Sequence, residues 1–131
     1  MQNIQNLLDK TSLKKTPQRL TILKTIDKYG HIAIEDIYSE VKEQFPSISL
    51  ATVYKNINAL KEENVLSEIH PKDSKVKFEI TKKPHGHFVC KICGEVYDFE
   101  LQNMCNPSLD EIEEIETSEV YLYGICKKCK K

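Results

Sequence analysis

Residues 49–80 read SLATVYKNINALKEENVLSEIHPKDSKVKFEI, and a change of period inside this stretch decides the fold. Up to Asn64 the spacing is helical. Ser49 is placed to cap, Leu50, Val53, Ile57 and Leu60 share one side, and Ala51, Thr52, Lys55, Asn58 and Ala59 share the other, with Tyr54 at the boundary. From Leu66 the period drops to two: Leu66 and Glu68, then Val76, Phe78 and Ile80, alternate with polar residues around the turn-rich HPKDSK. The segment therefore predicts a helix running straight into a β-hairpin.

Three more helices are expected upstream. Ile4, Leu7 and Leu8 mark a short one over residues 3–10, and Thr16-Pro17 supplies a cap and an N1 proline for a second over residues 17–29. Leu20, Leu23 and Ile26 repeat along that helix until Gly30 closes it. Ile34, Ile37, Tyr38, Val41 and Phe45 form the stripe of a third, which must stop before Pro46. A helix-turn-helix followed by a hairpin is the winged-helix plan, in which the helix before the wing enters the major groove of DNA.

Downstream of Pro84 the order is strand (HFVCKI), CxxC knuckle, strand (EVYDFEL), helix, strand (EVYLYGI) and a second knuckle. Asn106-Pro107 begins that helix, and Leu109, Ile112 and Ile115 give it an apolar stripe. The fold class is thus α+β: a winged-helix domain over residues 1–84 and a small α/β domain over residues 85–131.

Composition agrees with two small soluble modules. The chain has 131 residues, 40% hydrophobic and 30% charged, and its 4 Gly and 5 Pro exclude collagen-like and low-complexity classes. The net charge of −1 hides an asymmetry: residues 1–84 carry 14 basic against 11 acidic side chains, residues 85–131 carry 5 against 9. A DNA-binding surface need only be locally basic. No apolar run approaches ~18 residues, and the first twenty residues lack a signal peptide's apolar core, so a cytoplasmic protein without membrane attachment is expected.

In a reducing compartment, paired CxxC motifs read first as metal ligands. Cys90, Cys93, Cys126 and Cys129 can supply four thiolates to a closed tetrahedral zinc site, stapling the ends of the second module across a 32-residue spacer. Disulfides and a redox dithiol are the alternatives, but a redox CxxC begins a helix after a strand, which neither knuckle does. Cys105 receives no role.

His85-Gly86-His87 sends two imidazoles to the same face of a strand, with Glu79 and Asp98 at the ends of neighbouring strands. Nitrogen and oxygen donors without thiolate suit Fe(II), Mn(II) or a similar ion, although the same pair could be a surface pair with no ligand. His31 follows the helix-closing glycine, and spacing alone does not join it to the pair. His70, in the wing turn, reads as solvated or close to phosphate. On the fourth helix, small Ala51 and Thr52 permit close groove approach, and Lys55 and Asn58 are donors. A merely solvated helix face is the alternative.

Taken together, TPQR (16–19), GHIAIEDIY (30–38), SLATVYKNI (49–57), HGHFVCKICG (85–94) and the final CxxC resemble the ferric uptake regulator family of bacterial metalloregulators over essentially the whole chain. The resemblance implies a homodimeric, metal-dependent repressor binding a double-stranded DNA operator, with residues 85–131 as dimerisation domain. It also implies a regulatory Fe(II) or Mn(II) site between the domains, one per chain, at His31, Glu79, His85, His87 and Asp98. The four knuckle cysteines match one structural Zn(II) per chain. Tyr54 and Lys55 match the family's base-reading pair, Lys14 matches a lysine that approaches the minor groove, and Arg19 is expected on phosphate.

Within the family, Asp98 is the acid of the peroxide-stress branch, where iron-responsive siblings typically carry Glu. Glu79 points the other way, standing where the peroxide branch has Asp. Gly86 replaces the acid that the iron branch places between its histidines, and no histidine follows His87, so that branch's further dimer-domain site is expected to be missing. The balance favours peroxide sensing over iron sensing. In that branch Fe(II) reacts with peroxide and oxidises a ligand histidine, releasing metal and then DNA; His31 and His85 match the oxidisable positions. A mononuclear non-haem iron enzyme and a protein-binding zinc-ribbon module are the rival classes. Neither turnover nor a small-molecule substrate is expected, because five ligands leave little room for one.

Overall fold

The computed structural model describes residues 4–101, 110–116 and 118–130. It divides into two compact units, Met1–Thr81 and Lys82–Lys131.

The first unit contains α1 (Ile4–Asp9), α2 (Pro17–Tyr29), α3 (Ile34–Gln44), α4 (Leu50–Glu62) and a hairpin of β1 (Leu66–Ile69) and β2 (Lys77–Ile80). The caps are those the side chains allow. Thr16 accepts from Arg19 N and Ser49 from Thr52 N, each satisfying an orphan amide of a first turn. Gly30 N donates back to Ile26 O at 2.8 Å. α3 begins at Ala33, which has no side chain to cap it, and carries Glu35 and Asp36 in its first turn, where the helix dipole favours them. Ile22, Leu23 and Ile26 of α2, Ile37 and Val41 of α3, and Val53, Ile57 and Leu60 of α4 are completely buried in one core.

Two expectations fail locally in this unit. Leu50, expected on the buried side of α4, is 40% exposed, because it opens the helix one turn ahead of the first buried residue, Val53. Val76 is 39% exposed and lies outside β2, so the alternation begins only at Lys77. A third segment also joins the hairpin. Ile32 bridges Phe78 antiparallel, with Ile32 N donating to Phe78 O at 3.2 Å and Phe78 N to Ile32 O at 2.9 Å. β2 is thereby paired on both edges, and Phe78, Glu79 and Ile80 are all buried.

The second unit is a three-stranded sheet in the order β4-β3-β5, from β3 (His85–Cys90), β4 (Val96–Glu100) and β5 (Tyr121–Gly124). β3 and β4 are antiparallel, and their connection is the first knuckle itself: Cys90 N donates to Glu95 O, Gly94 N donates to Cys90 O, and Gly94 sits at φ 77°, a region that favours glycine. β5 runs parallel to β3, pairing His87 with Tyr121 and Cys90 with Gly124. The expected helix after Asn106-Pro107 falls partly on residues 102–109, outside the described residues. Residues 110–116 are turn and irregular chain, with Ile112 and Ile115 exposed, which corrects that part of the expectation. Asp110, Glu111, Glu113, Glu114 and Glu116 crowd five like charges into helical neighbour positions, which opposes a helix.

The cores of the two units are unequal. The first buries apolar side chains from every helix and both strands; among the described residues of the second, only Val89, Cys90 and Cys126 are buried hydrophobics. We expect Ile57→Ala to cost about 2–5 kcal/mol in urea unfolding followed by helical circular dichroism. Leu50→Ala should cost less than about 1 kcal/mol, since its side chain is already in water.

Candidate metal centres and nucleic-acid face

β3 holds one candidate centre at each end. At its C-terminal end, the Sγ atoms of Cys90, Cys93, Cys126 and Cys129 all lie within 4.8 Å of one another, and none is in a disulfide. Cys93 Sγ and Cys126 Sγ are 3.8 Å apart. Sulfurs at the corners of a tetrahedron with metal bonds of about 2.3 Å are separated by about 3.8 Å, so the spacing suits a four-thiolate ion site. The backbone prepares it: Ile92 N and Cys126 N both donate to Cys90 Sγ at 3.4 Å.

These donors, the Cys126 amide foremost, bring the Cys90 thiol down to about 6. The Cys129 thiol goes the other way, to about 12, chiefly through its hydrogen bond with Cys126. Four adjacent sulfurs cannot all carry negative charge without a cation among them. Glu95 ties the two knuckles from outside, accepting from Tyr97 Oη and Lys128 Nζ, each at 2.9 Å. The paired carboxylate raises Lys128 and Tyr97 alike to about 12.

At the N-terminal end of β3, strand alternation puts His85 and His87 on one face, with ring centroids 4.6 Å apart. The antiparallel register sets Asp98 of β4 opposite His87. Asp98 Oδ1 lies 3.4 Å from His87 Nε2 and 3.6 Å from His85 Nε2. Ligand atoms on one divalent ion with bonds of about 2.1 Å are roughly 3–3.5 Å apart. His85 Nδ1 is 2.9 Å from the Lys83 carbonyl, which can only accept, so Nδ1 carries a proton and Nε2 is the nitrogen turned toward Asp98. An imidazole nitrogen beside a carboxylate oxygen takes a proton or a cation between them.

Three neighbours of this face carried no sequence signal. Lys82 pairs with Asp98 Oδ2, the ring of Tyr121 stacks on His87 at 5.7 Å, and His87 N donates to Val120 O. Gly86 also has a reason beyond leaving space between imidazoles. The Phe99 ring lies against it on the other face, where an added Cβ would come within 2.3 Å of Phe99 Cζ.

In the first unit the Ile32–Phe78 bridge sets His31 across from Glu79. His31 Nε2 is 3.2 Å from Glu79 Oε1, with both side chains largely withdrawn from water. His70 is exposed and 3.1 Å from Glu68 Oε2, in keeping with a solvated wing-turn residue.

α4 turns Val53, Ile57 and Leu60 inward and leaves Ala51, Tyr54, Lys55 and Asn58 exposed, with Thr52 half-buried. Lys14 is exposed ahead of α2, and Arg19 is half-buried with Nε 3.0 Å from Asn56 Oδ1. Tyr54, 44% exposed, is a large ring with no core to fill.

The ferric uptake regulator family profile matches residues 10–123. The peroxide-responsive repressor PerR of Staphylococcus epidermidis is 32% identical over 94% of this chain and 85% of its own. The crystal structure of a Campylobacter jejuni peroxide stress regulator superposes with a TM-score of 0.72 at 34% identity, covering 98% of this chain and all of that one. The Helicobacter pylori ferric uptake regulator gives a TM-score of 0.75 over 99% of this chain and 95% of its own, and at 21% identity this speaks for the fold alone. The family profile spans most of the chain and the PerR relative aligns over nearly all of it, and the chain belongs to the ferric uptake regulator family of transcriptional regulators.

Proposed function

We propose that this chain is a cytoplasmic, homodimeric repressor that binds an operator DNA when a regulatory divalent metal is present and releases it on exposure to hydrogen peroxide. The observation that carries the reading is the thiol-free set of His85 and His87 on β3 with Asp98 opposite on β4, at the end of β3 away from the four sulfurs. Residues 1–84 form the DNA-binding domain and residues 85–131 the dimerisation domain. The members of its family are regulators rather than enzymes, and neither turnover nor a small-molecule substrate is invoked here.

In this reading Cys90, Cys93, Cys126 and Cys129 hold one Zn(II) per chain. His31 and Glu79 of one unit, with His85, His87 and Asp98 of the other, hold one Fe(II) or Mn(II). Such an ion favours whichever arrangement of the two units satisfies all its ligands, which makes metal affinity a lever on DNA affinity. Bound there, iron would supply the one-electron chemistry that turns peroxide into an oxidant of an adjacent imidazole. His31 and His85 are the positions oxidised. Oxidation weakens each as a nitrogen donor, and the chain loses its ion and then its operator. The absence of a thiolate from this ligand set directs oxidation to histidine, since sulfur would otherwise be attacked first.

Ala51 and Thr52 admit α4 to the major groove, where Tyr54, Lys55 and Asn58 contact base edges and phosphates. Lys14 reaches the minor groove and Arg19 a phosphate. An iron-responsive regulator is the second reading, favoured by Glu79 standing where the peroxide branch has Asp. Titrating DNA binding with Fe(II) or Mn(II), each followed by peroxide, separates the two, since release only from the iron-loaded protein marks a peroxide sensor.

Three outcomes are expected. Purified protein should retain about one Zn(II) per chain, and Cys90→Ser or Cys129→Ser should lose both the metal and the folded dimer by metal analysis and size-exclusion chromatography. A stable metal-free dimer would rule this role out. Tyr54→Ala should weaken specific operator binding by ~1–3 kcal/mol in gel-shift titrations, and unchanged affinity would remove α4 as the reading helix. In the Fe(II) form, brief peroxide treatment should add one oxygen atom to His31 and to His85 by peptide mass spectrometry, with the Mn(II) form spared. Oxidation confined to the knuckle cysteines would point to a thiol switch instead.

A further inference from the structure

The segment carrying Lys14 leads into α2 and has no regular structure of its own between residues 11 and 16. Two side-chain links nevertheless tie it to α4. Ser12 N and Ser12 Oγ both donate to Glu63 Oε1, at 3.2 and 2.6 Å, at the C-terminal end of α4. These two hydrogen bonds hold the Glu63 carboxyl below the usual carboxylate range. On the other side of Lys14, Arg19 reaches both ways. Its Nη1 donates to the Lys14 carbonyl at 3.1 Å, and its Nε donates to Asn56 Oδ1 at 3.0 Å.

Asn56 is in turn fixed by its own helix, donating from Nδ2 to Thr52 O at 2.9 Å. Its amide is therefore used at both ends, the oxygen by Arg19 and the nitrogen by Thr52, and this pattern sets which way the group faces. Asn56 is half-buried between exposed Lys55 and buried Ile57. It cannot point along the outward face with Tyr54 and Asn58, since residues on one helix face recur three or four apart.

We infer that Asn56 and Arg19 are positioning residues for DNA recognition: the Lys14–Arg19–Asn56–Thr52 chain of hydrogen bonds sets the Lys14 arm at a defined place relative to α4. The inference rests on the DNA-binding reading above and adds a role for a half-buried residue that reading does not use. An arm free to wander pays conformational entropy each time it engages DNA, whereas an arm already tied to the reading helix does not. Arg19 has five N–H groups and commits two of them to this chain, so the same side chain retains donors for a phosphate.

The test is a double-mutant cycle on Asn56→Ala and Lys14→Ala, reading operator affinity over a salt series, with thermal melts to check that α4 remains folded. Lys14→Ala should weaken binding roughly tenfold and make the salt slope shallower by about one. Asn56→Ala, which removes no charge, should reproduce both effects. On the Lys14→Ala background it should add less than about twofold, because its effect runs through Lys14. Should Asn56→Ala fail to fold, Arg19→Lys keeps the charge, loses the two-way fork and is expected to behave the same way. An Asn56→Ala protein that binds like the parent, or whose loss multiplies with that of Lys14→Ala at unchanged salt slope, would overturn the proposal. No specific binding by the unaltered chain would instead defeat the DNA-binding reading itself.

Discussion

The second unit depends on four sulfur atoms being held together. Among its described residues the buried hydrophobics are Val89 and two cysteines, which offset little of the entropy of ordering those residues. The sulfurs of Cys90, Cys93, Cys126 and Cys129, close enough to share one cation, gather these residues instead, and their placement has further consequences. The first knuckle is the turn between β3 and β4, and the second follows directly on β5. One cluster therefore fixes the same end of all three strands. Lys91 N donating to Gly124 O at 2.7 Å, and Glu95 joining Tyr97 to Lys128, extend that hold beyond the sulfurs.

Because β3 carries Cys90 at one end and His85 and His87 at the other, anything that fixes its register also aims the imidazoles. A slip of one residue between β3 and β4 would turn both rings to the opposite face and take Asp98 away from them. Gly86 and Phe99 resist that slip from the far side, since the ring fills the space that only glycine leaves there. The oxygen and nitrogen donors thus inherit their geometry from a sulfur cluster with which they share no ligand. Chemically the two sets differ as their proposed tasks do: thiolates suit a permanent zinc, while imidazoles and a carboxylate suit a hard, exchangeable ion.

The first unit solves a different problem, that of aiming two surfaces from one core. Its helices bury a continuous apolar cluster and in doing so present the outer side of α4 to solvent. The connection between α2 and α3 adds a single antiparallel bridge to β2, Ile32 to Phe78, beside which the buried Glu79 meets His31. The exposed side of α4 and the His31–Glu79 pair therefore belong to the same compact unit.

Local chemistry was legible in the sequence. Thr16-Pro17, Ser49 and Gly30 set helix ends through side-chain and backbone hydrogen bonds to near neighbours, and the buried stripe of α4 follows from spacing alone. Each CxxC pair announced two sulfurs aimed at one point, and HGH announced two imidazoles on one face, because each depends only on residues a turn or a strand step apart; that the two sulfur pairs meet is a matter of tertiary structure. Only tertiary structure could decide what meets across the fold. It brought His31 to Glu79 through a bridge between segments nearly fifty residues apart, ran β5 parallel to β3, exposed Leu50, and linked Arg19 to Asn56. Periodicity reports which way a side chain faces within its own element; the partner it meets depends on strand pairing and on where the core ends, which are properties of the packed whole.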